Sequence, residues 1–170
     1  LTNNAEKKEG HLQTIVAHVK PDVLMVNEMG ANWLNPNKLL NNALNKNGVN
    51  HFDQAEYANN SFSSLTNMLF YNTDRLELFS QDAISKDTFG VDLVRVIDVY
   101  TLYVKNRALA SGDTTFLTFF LAHLKAGSTS ADKVQRAKMT IAAMEYLKER
   151  HTTHHYYFAA DFNNQTKYEE

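Results

Sequence analysis

The sequence predicts an α/β fold, a mixed-sheet sandwich, on three observations. Short apolar runs of strand length alternate with segments of helical periodicity. In the middle of the chain strand-like segments follow each other with no helix between them, which breaks the βαβ rhythm of a purely parallel sheet. Finally, 170 residues with 44% hydrophobic and 21% charged side chains supply one domain's worth of core.

Leu12, Ile15, Val16 and Val19 recur at helical spacing and predict an amphipathic helix over 6–19. Lys20-Pro21 ends it, because proline disfavours helical geometry in the residue before it. DVLMVNE at 22–28 suits a buried strand. Asn35-Pro36 reads as an N-cap with proline at the first helical position, Leu39, Leu40 and Leu44 as the apolar face, and Gly48 as the close. NMLFYN, TDR and LELF at 67–79 read as two antiparallel strands around a tight polar turn. VIDVYTLYV at 96–104 is rich in strand-forming Val, Ile and Tyr. Ser111-Gly112-Asp113 supplies a turn before the buried strand TTFLTFFLAH at 114–123. Val134, Ala137, Ile141, Met144 and Leu147 mark a helix of about five turns capped by Ser130, and HHYYFAAD adds a last strand.

Charge narrows the function. Lys plus Arg total 17 against 19 Asp plus Glu, a net charge of −2, which excludes a broad cationic surface for nucleic acid but not a local basic cleft. The absence of cysteine excludes thiolate metal sites, disulfides and cysteine nucleophiles. No run of roughly 18 apolar residues predicts a transmembrane helix. LTNNAEKKEG lacks the apolar segment of a signal peptide, and the sequence leaves the compartment open.

Polar residues at the ends of apolar strands are the candidates for chemistry, since rigid strands hold catalytic groups accurately. Glu28, Arg95, His123 and the pair Asp161 and Asn163 occupy such places. A carboxylate at Glu28 suits Mg²⁺ or Mn²⁺, hard ions that prefer oxygen, or else it is a solvated strand end. His123 suits proton transfer or phosphate binding, or a structural role. On a strand-like backbone Asp161 and Asn163 would point the same way, able to hold a water and a phosphate oxygen; an Asx-type turn is the plain alternative.

Together these segments form a recognisable pattern. PDVLMVNE resembles the "PD-hydrophobic-QE" segment of the endonuclease/exonuclease/phosphatase family, FLAHLKAGS its strand ending in histidine, and ADFNN its "GDFN" segment. Arg95 matches the arginine that opens the corresponding family strand, and the order Glu, hairpin, Arg, His, helix, Asp-x-Asn agrees from about residue 8 to 165. Within the family, HLKAGS looks closest to secreted bacterial members resembling deoxyribonuclease I.

The resemblance implies a deoxyribonuclease I-like sandwich and a divalent-metal phosphoesterase using Mg²⁺ or Mn²⁺, with Ca²⁺ a further candidate. Glu28 would hold the metal. His123 would hydrogen-bond the scissile phosphate or donate a proton, Asp161 would orient or deprotonate the attacking water, and Asn163 would hold water or phosphate. Arg95 would neutralise phosphate charge or fix the geometry. Apart from the resemblance, Lys125 stands close to His123 in the sequence, where approach to a substrate phosphate competes with a plain structural or solvated role. The substrate would be nucleic acid, cut by an endonuclease, or a small-molecule or lipid phosphate; an inert binding domain of a larger assembly is the reading from another class.

Several family features are missing. Nothing upstream of the first helix offers the strand with a metal-associated asparagine, and no "SDH" segment or further aspartate follows ADFNN. No carboxylate stands near Leu65 to Asn67 to support the histidine, and Ala160 replaces a glycine. A fragment, 1–170 as a single partial domain, explains this better than loss of catalysis, since Glu28, His123, Asp161 and Asn163 all survive. On that reading the second sheet would be largely absent, leaving an apolar face that associates with the rest of the domain or with a partner chain.

Three other features have plainer readings. His151, His154 and His155 fall at a helix-to-strand turn and read as solvated. Lys133, Arg136, Lys138, Lys148 and Arg150 read as the solvated face of the long helix. Trp33, the one tryptophan, lies in the loop after Glu28, where stacking on a base competes with ordinary packing.

Overall fold

A computed structural model describes residues 5–58, 64–105, 114–150 and 155–164. Helix α1 (Ala5–Val19) leads into strand β1 (Val23–Gly30), then α2 (Leu34–Leu39), which continues as a π-helical turn over Leu40–Leu44. Strands β2 (Phe52–Gln54), β3 (Leu65–Asn72), β4 (Leu76–Lys86), β5 (Asp92–Val104) and β6 (Phe116–His123) follow, then α3 (Ser130–Glu149) and β7 (His155–Asp161). The strands form a three-stranded antiparallel sheet in the order β1-β3-β2 and a four-stranded sheet in the order β4-β5-β6-β7. The second is antiparallel except for the parallel pair β6-β7, which α3 connects. This is the mixed-sheet α/β sandwich expected from the sequence.

Two cores hold the layers together. Leu69 and Tyr71, on the face of β3 that turns Asn67 toward Asp98, share one buried cluster with Tyr100, Leu102, Phe119 and Leu121 of the larger sheet, and Met68 and Phe70 on the other face of β3 join it with Val16 and Leu12 of α1. Ile97, Phe120, Ala122, Met139, Ala142 and Ala143 bury the other face of the larger sheet against α3. Alternation on β6 and β5 makes this possible, since successive side chains point to opposite faces. Three strands of the smaller sheet are therefore present and cover the larger one, where the missing family segments predicted that this sheet would be largely absent. Among the described residues no helix is long and apolar enough to cross a membrane.

Some local expectations change. The turn at 73–75 does not close a hairpin: β3 and β4 belong to different sheets, so the turn carries the chain across the sandwich. The hairpin in this region is β4-β5. Asn35 does not cap α2; its amide donates to Gly30 O (2.8 Å), and Asn32 Oδ1 instead accepts from Leu34 N (2.9 Å). Thr129, one residue before Ser130, caps α3 and forms a reciprocal capping box with Asp132. Ser111-Gly112-Asp113 lies outside the described residues.

The buried face of α3 also differs from the expected one. Val134, Ile141 and Met144 are exposed, and Ala137 with them, while Met139, Ala142 and Ala143 pack on the sheet. Small side chains let the helix approach closely, so alanines face inward and larger residues outward. Arg136 is buried rather than solvated, because its guanidinium donates to the carbonyls of Lys125 (2.5 Å) and Gly127 (2.9 Å) in the loop before the helix.

Leu102→Ala should therefore lower stability by about 2–5 kcal/mol, the range for a cavity in a packed core. Ile141→Ala on the outer face of α3 should change it by less than about 0.5 kcal/mol. Urea denaturation of the two variants checks the pair; comparable losses would mean that α3 packs the other way round.

Candidate active site

The parallel pairing of β6 with β7 sets His123 directly opposite Asp161, so two strand ends deliver their polar residues to one level. Glu28 arrives from the other sheet. A bulge in β1 places Asn27 and Glu28 between partners Val26–Met68 and Met29–Thr66, two residues against one. Glu28 itself takes a left-handed backbone, φ 58°. Such a bulge re-aims a side chain, here onto the imidazole. Glu28 Oε1 lies 3.4 Å from His123 Nδ1, and Asp161 Oδ2 lies 3.8 Å from His123 Nε2. The His123 side chain is 8% exposed, against 57% and 54% for the two carboxylates. A buried ring is thus flanked by two solvent-facing acids. Burial pushes the His123 pKa below its ordinary value, Arg95 pushes the same way, and Glu28 and Asp161 oppose them.

The supporting residues act largely through the backbone that follows β6. Arg95 Nη1 donates to the carbonyls of His123 (3.2 Å) and Leu124 (2.9 Å). The amide of Asn163 donates to the same Leu124 carbonyl (3.0 Å), and Leu124 N–H donates to Asp161 O (2.9 Å). Asp161 and Asn163 are not side by side on a continuing strand. The strand ends at Asp161, Asn163 takes φ 51°, and its N–H folds back onto Asp161 Oδ1 (3.0 Å) as an Asx turn. Lys125 is bound to the start of α3: its Nζ lies 2.8 Å from Asp132 Oδ1 and donates to Ala126 O (2.6 Å).

Three residues that sequence reasoning passed over belong to this end of the sandwich. The Asn27 amide crosses between the sheets to Ala122 O (3.0 Å). Asn67 donates to Asp98 Oδ2 (2.9 Å) and to Leu121 O (3.5 Å). Asp98 is buried, and burial pushes its pKa up to about 6 against the opposing hydrogen bond from Asn67. A polar residue inside an apolar run was the signal available for each; Asp98 in VIDVY is the clearest. Trp33, at the N-terminus of α2, is 65% exposed. His151 and His154 lie outside the described residues, and His155 opens β7 in an exposed position.

Among the described residues no group of three or more His, Asp or Glu side chains is gathered to enclose an ion. The oxygen donors present are the Glu28 and Asp161 carboxylates beside His123 and the buried Oδ1 of Asn27, the residue before Glu28 in sequence, which has no hydrogen-bond partner. Mg²⁺ is commonly held by one or two carboxylates, waters and substrate phosphate, and this donor set fits that mode.

No protein-family model and no curated protein sequence matches the chain. Solved structures do. The human Nocturnin catalytic domain, solved with bound sulfate, superposes with a TM-score of 0.68 at 15% identity, covering 94% of this chain and 58% of that one. Mannosyl-6-phosphatase of Bacteroides thetaiotaomicron gives 0.67 at 16% identity, with 96% and 59% covered. TDP2 of D. rerio, complexed with single-strand DNA product, gives 0.62 at 16% identity, with 97% and 57% covered. The class the fold defines is the αββα sandwich. In particular, the chain has the deoxyribonuclease I-like fold of the endonuclease/exonuclease/phosphatase family, as does a family protein of B. thetaiotaomicron at a TM-score of 0.67. The chain spans about three-fifths of the length of these structures.

The buried Asp98 gives a stability signature. An acid whose folded pKa lies above its unfolded value holds its proton more tightly when folded, so stability falls as pH rises from about 4 to about 6. Asp98→Asn keeps the acceptor for Asn67 and removes the charge. It should raise stability at pH 7 by on the order of 2–3 kcal/mol and flatten the profile across that window. Melting curves of both proteins between pH 4 and 8 provide the check, and parallel profiles would contradict the assignment.

Proposed function

We propose that this chain carries the catalytic half-site of a divalent-metal-dependent phosphoesterase of the endonuclease/exonuclease/phosphatase family, acting by hydrolysis of a phosphodiester. The observation that carries the reading is the convergence of Glu28, His123 and Asp161 from three strands and both sheets within 3.4 and 3.8 Å of one imidazole. In this reading Glu28, with the side-chain oxygen of Asn27 one residue before it, would hold Mg²⁺ or Mn²⁺. The ion, when bound, would supply charge neutralisation at the phosphoryl oxygens.

The chain's own residues account for the rest. Asp161, oriented by the Asn163 N–H, takes the proton of the attacking water. That water forms the new P–O bond while the bond to the leaving oxygen breaks on the opposite side. His123, kept neutral at pH 7 by burial, donates a ring N–H to a phosphate oxygen. Arg95 has no carboxylate partner among the described residues and adds positive charge behind the ring, besides fixing the His123 and Leu124 carbonyls. Asn163 works through Asp161 as a positioning residue. Lys125 would have to leave Asp132 to meet a phosphate, so its part is to hold the loop after His123.

Two substrate classes have support. Exposed Trp33 offers a base a stacking surface, and TDP2 in complex with a DNA product shares the fold; both favour a nuclease. The shared fold of mannosyl-6-phosphatase favours a phosphate on a small molecule. The full-length protein carrying this chain should lose hydrolysis on chelation and recover it with Mg²⁺ or Mn²⁺. Asp161→Asn in that protein should lower turnover by about 10²–10⁴-fold with little change in melting. Plasmid and single-stranded DNA tested beside sugar phosphates and phospholipid head groups separate the classes. Near-normal turnover of the variant would remove Asp161 from the mechanism, and failure to bind Mg²⁺ by calorimetry would favour an inert binding domain.

A further inference from the structure

A second concavity lies at the opposite end of β1. It is a cleft of about 460 Å³ between the C-terminal turn of α1, the segment after the π-helical turn and the start of β1. From Asp22 at its edge to Glu28 the chain runs six residues of nearly extended strand, about 20 Å. The cleft is therefore separate from the site around His123, and its ligand chemistry is independent of the proposed phosphoesterase activity.

Its chemistry is divided. Val16, Leu44 and Phe52, all buried, line it with apolar surface. The charged residues in its lining are Lys20, Lys46 and Arg75 against the single carboxylate Asp22, a surplus of two positive charges. Asp22 is already taken by Arg75, Nη1 to Oδ2 2.6 Å. Lys20 and Lys46 have no carboxylate partner among the described residues. Gln13 adds an independent sign: its Nε2, buried at the cleft, has no hydrogen-bond acceptor. A buried donor left unpaired costs free energy that an acceptor in the cleft would recover.

The backbone around the cleft is costly as well. Lys20 N–H donates to Val16 O (2.8 Å), closing α1 with a left-handed residue at φ 51°, a position where glycine is ordinarily found. Asn47, at φ 52°, precedes Gly48 at φ 88°. The Asn45 side chain clamps this segment to β2, donating to Phe52 O (2.8 Å) and accepting from Phe52 N (3.0 Å). The cleft is thus a formed cavity of the size that takes small ligands.

We propose that this cleft binds a small amphipathic anion: an apolar or aromatic body seated on Val16, Leu44 and Phe52, with one carboxylate, sulfonate or phosphate head between Lys20 and Lys46, accepting from the Gln13 amide. The test uses 8-anilinonaphthalene-1-sulfonate and N-phenyl-1-naphthylamine, which share a body and differ by the sulfonate, titrated by fluorescence into the full chain. The sulfonate should bind once per chain and about ten-fold more tightly than the neutral probe, the scale of two modest charge contacts. Laurate should displace it.

Three variants sharpen the reading. Lys20→Gly with Lys46→Ala should weaken the sulfonate about ten-fold and leave the neutral probe unchanged. Because glycine relieves the left-handed strain, that protein should melt no lower than the parent. Gln13→Leu should weaken the sulfonate alone. Ala17→Trp, from a residue lining the cleft, should abolish binding of both probes. Equal affinities for the two probes, no sulfonate binding, several sites per chain, or binding indifferent to Ala17→Trp would each overturn the proposal.

Discussion

The carbonyls of residues 122–124, where β6 leaves its sheet, are the constraint on which the candidate site depends. Asn27 reaches Ala122 from the other sheet, Arg95 reaches His123 and Leu124 from the neighbouring strand, and Asn163 reaches Leu124 from beyond β7. A carbonyl has two lone pairs, and Leu124 uses its oxygen for two donors at once. Every element that supplies a candidate side chain is therefore tied to one three-residue stretch. Because hydrogen bonds to charged groups are the stronger kind, the Arg95 clamp anchors the set. The positions of Glu28, His123 and Asp161 are then consequences of strand pairing and of this clamp, not of contacts among themselves.

That organisation explains which parts of the site were legible in the sequence. Glu28, His123 and Asp161 each follow an apolar run, and a strand-end polar residue can be seen in one dimension. Asn27, Asn67 and Asp98 cannot be assigned that way. Their partners lie 95, 54 and 31 residues off, in strands whose pairing is settled only by the three-dimensional register. The resemblance sought a supporting carboxylate near Leu65 to Asn67; at that place stands an amide, and the buried carboxylate it holds belongs to β5. A donor and an acceptor have been distributed over two strands from different sheets.

The fold shows the same division. Apolar runs located the strands at 23–30, 65–72 and 116–123, because their ends coincide with turn chemistry. Which sheet a strand joins was not readable at residues 73–75, since a polar turn serves a hairpin and a crossing between sheets equally well. Periodicity located α3 but chose the wrong face. With Ala142, Ala143 and Met139 on one side and Val134, Ile141 and Met144 on the other, hydrophobicity alone favours the larger residues, while close packing on a sheet favours the smaller.

Backbone strain connects the two concavities. The non-glycine residues with left-handed backbone among the described residues are Lys20, Glu28, Asn47 and Asn163. Two lie in the candidate active site, and the other two line the cleft at the far end of β1. Asparagine tolerates this conformation through local hydrogen bonding, whereas lysine and glutamate do not have that relief. Such residues persist where the surroundings over-determine them: the bulge between the fixed pairs Val26–Met68 and Met29–Thr66 holds Glu28, and the hydrogen bond to Val16 followed by Pro21 holds Lys20. Glycine would meet either backbone demand at lower cost. At Glu28 the side chain that glycine would remove is the carboxylate facing His123, and at Lys20 it is an ammonium group lining the cleft.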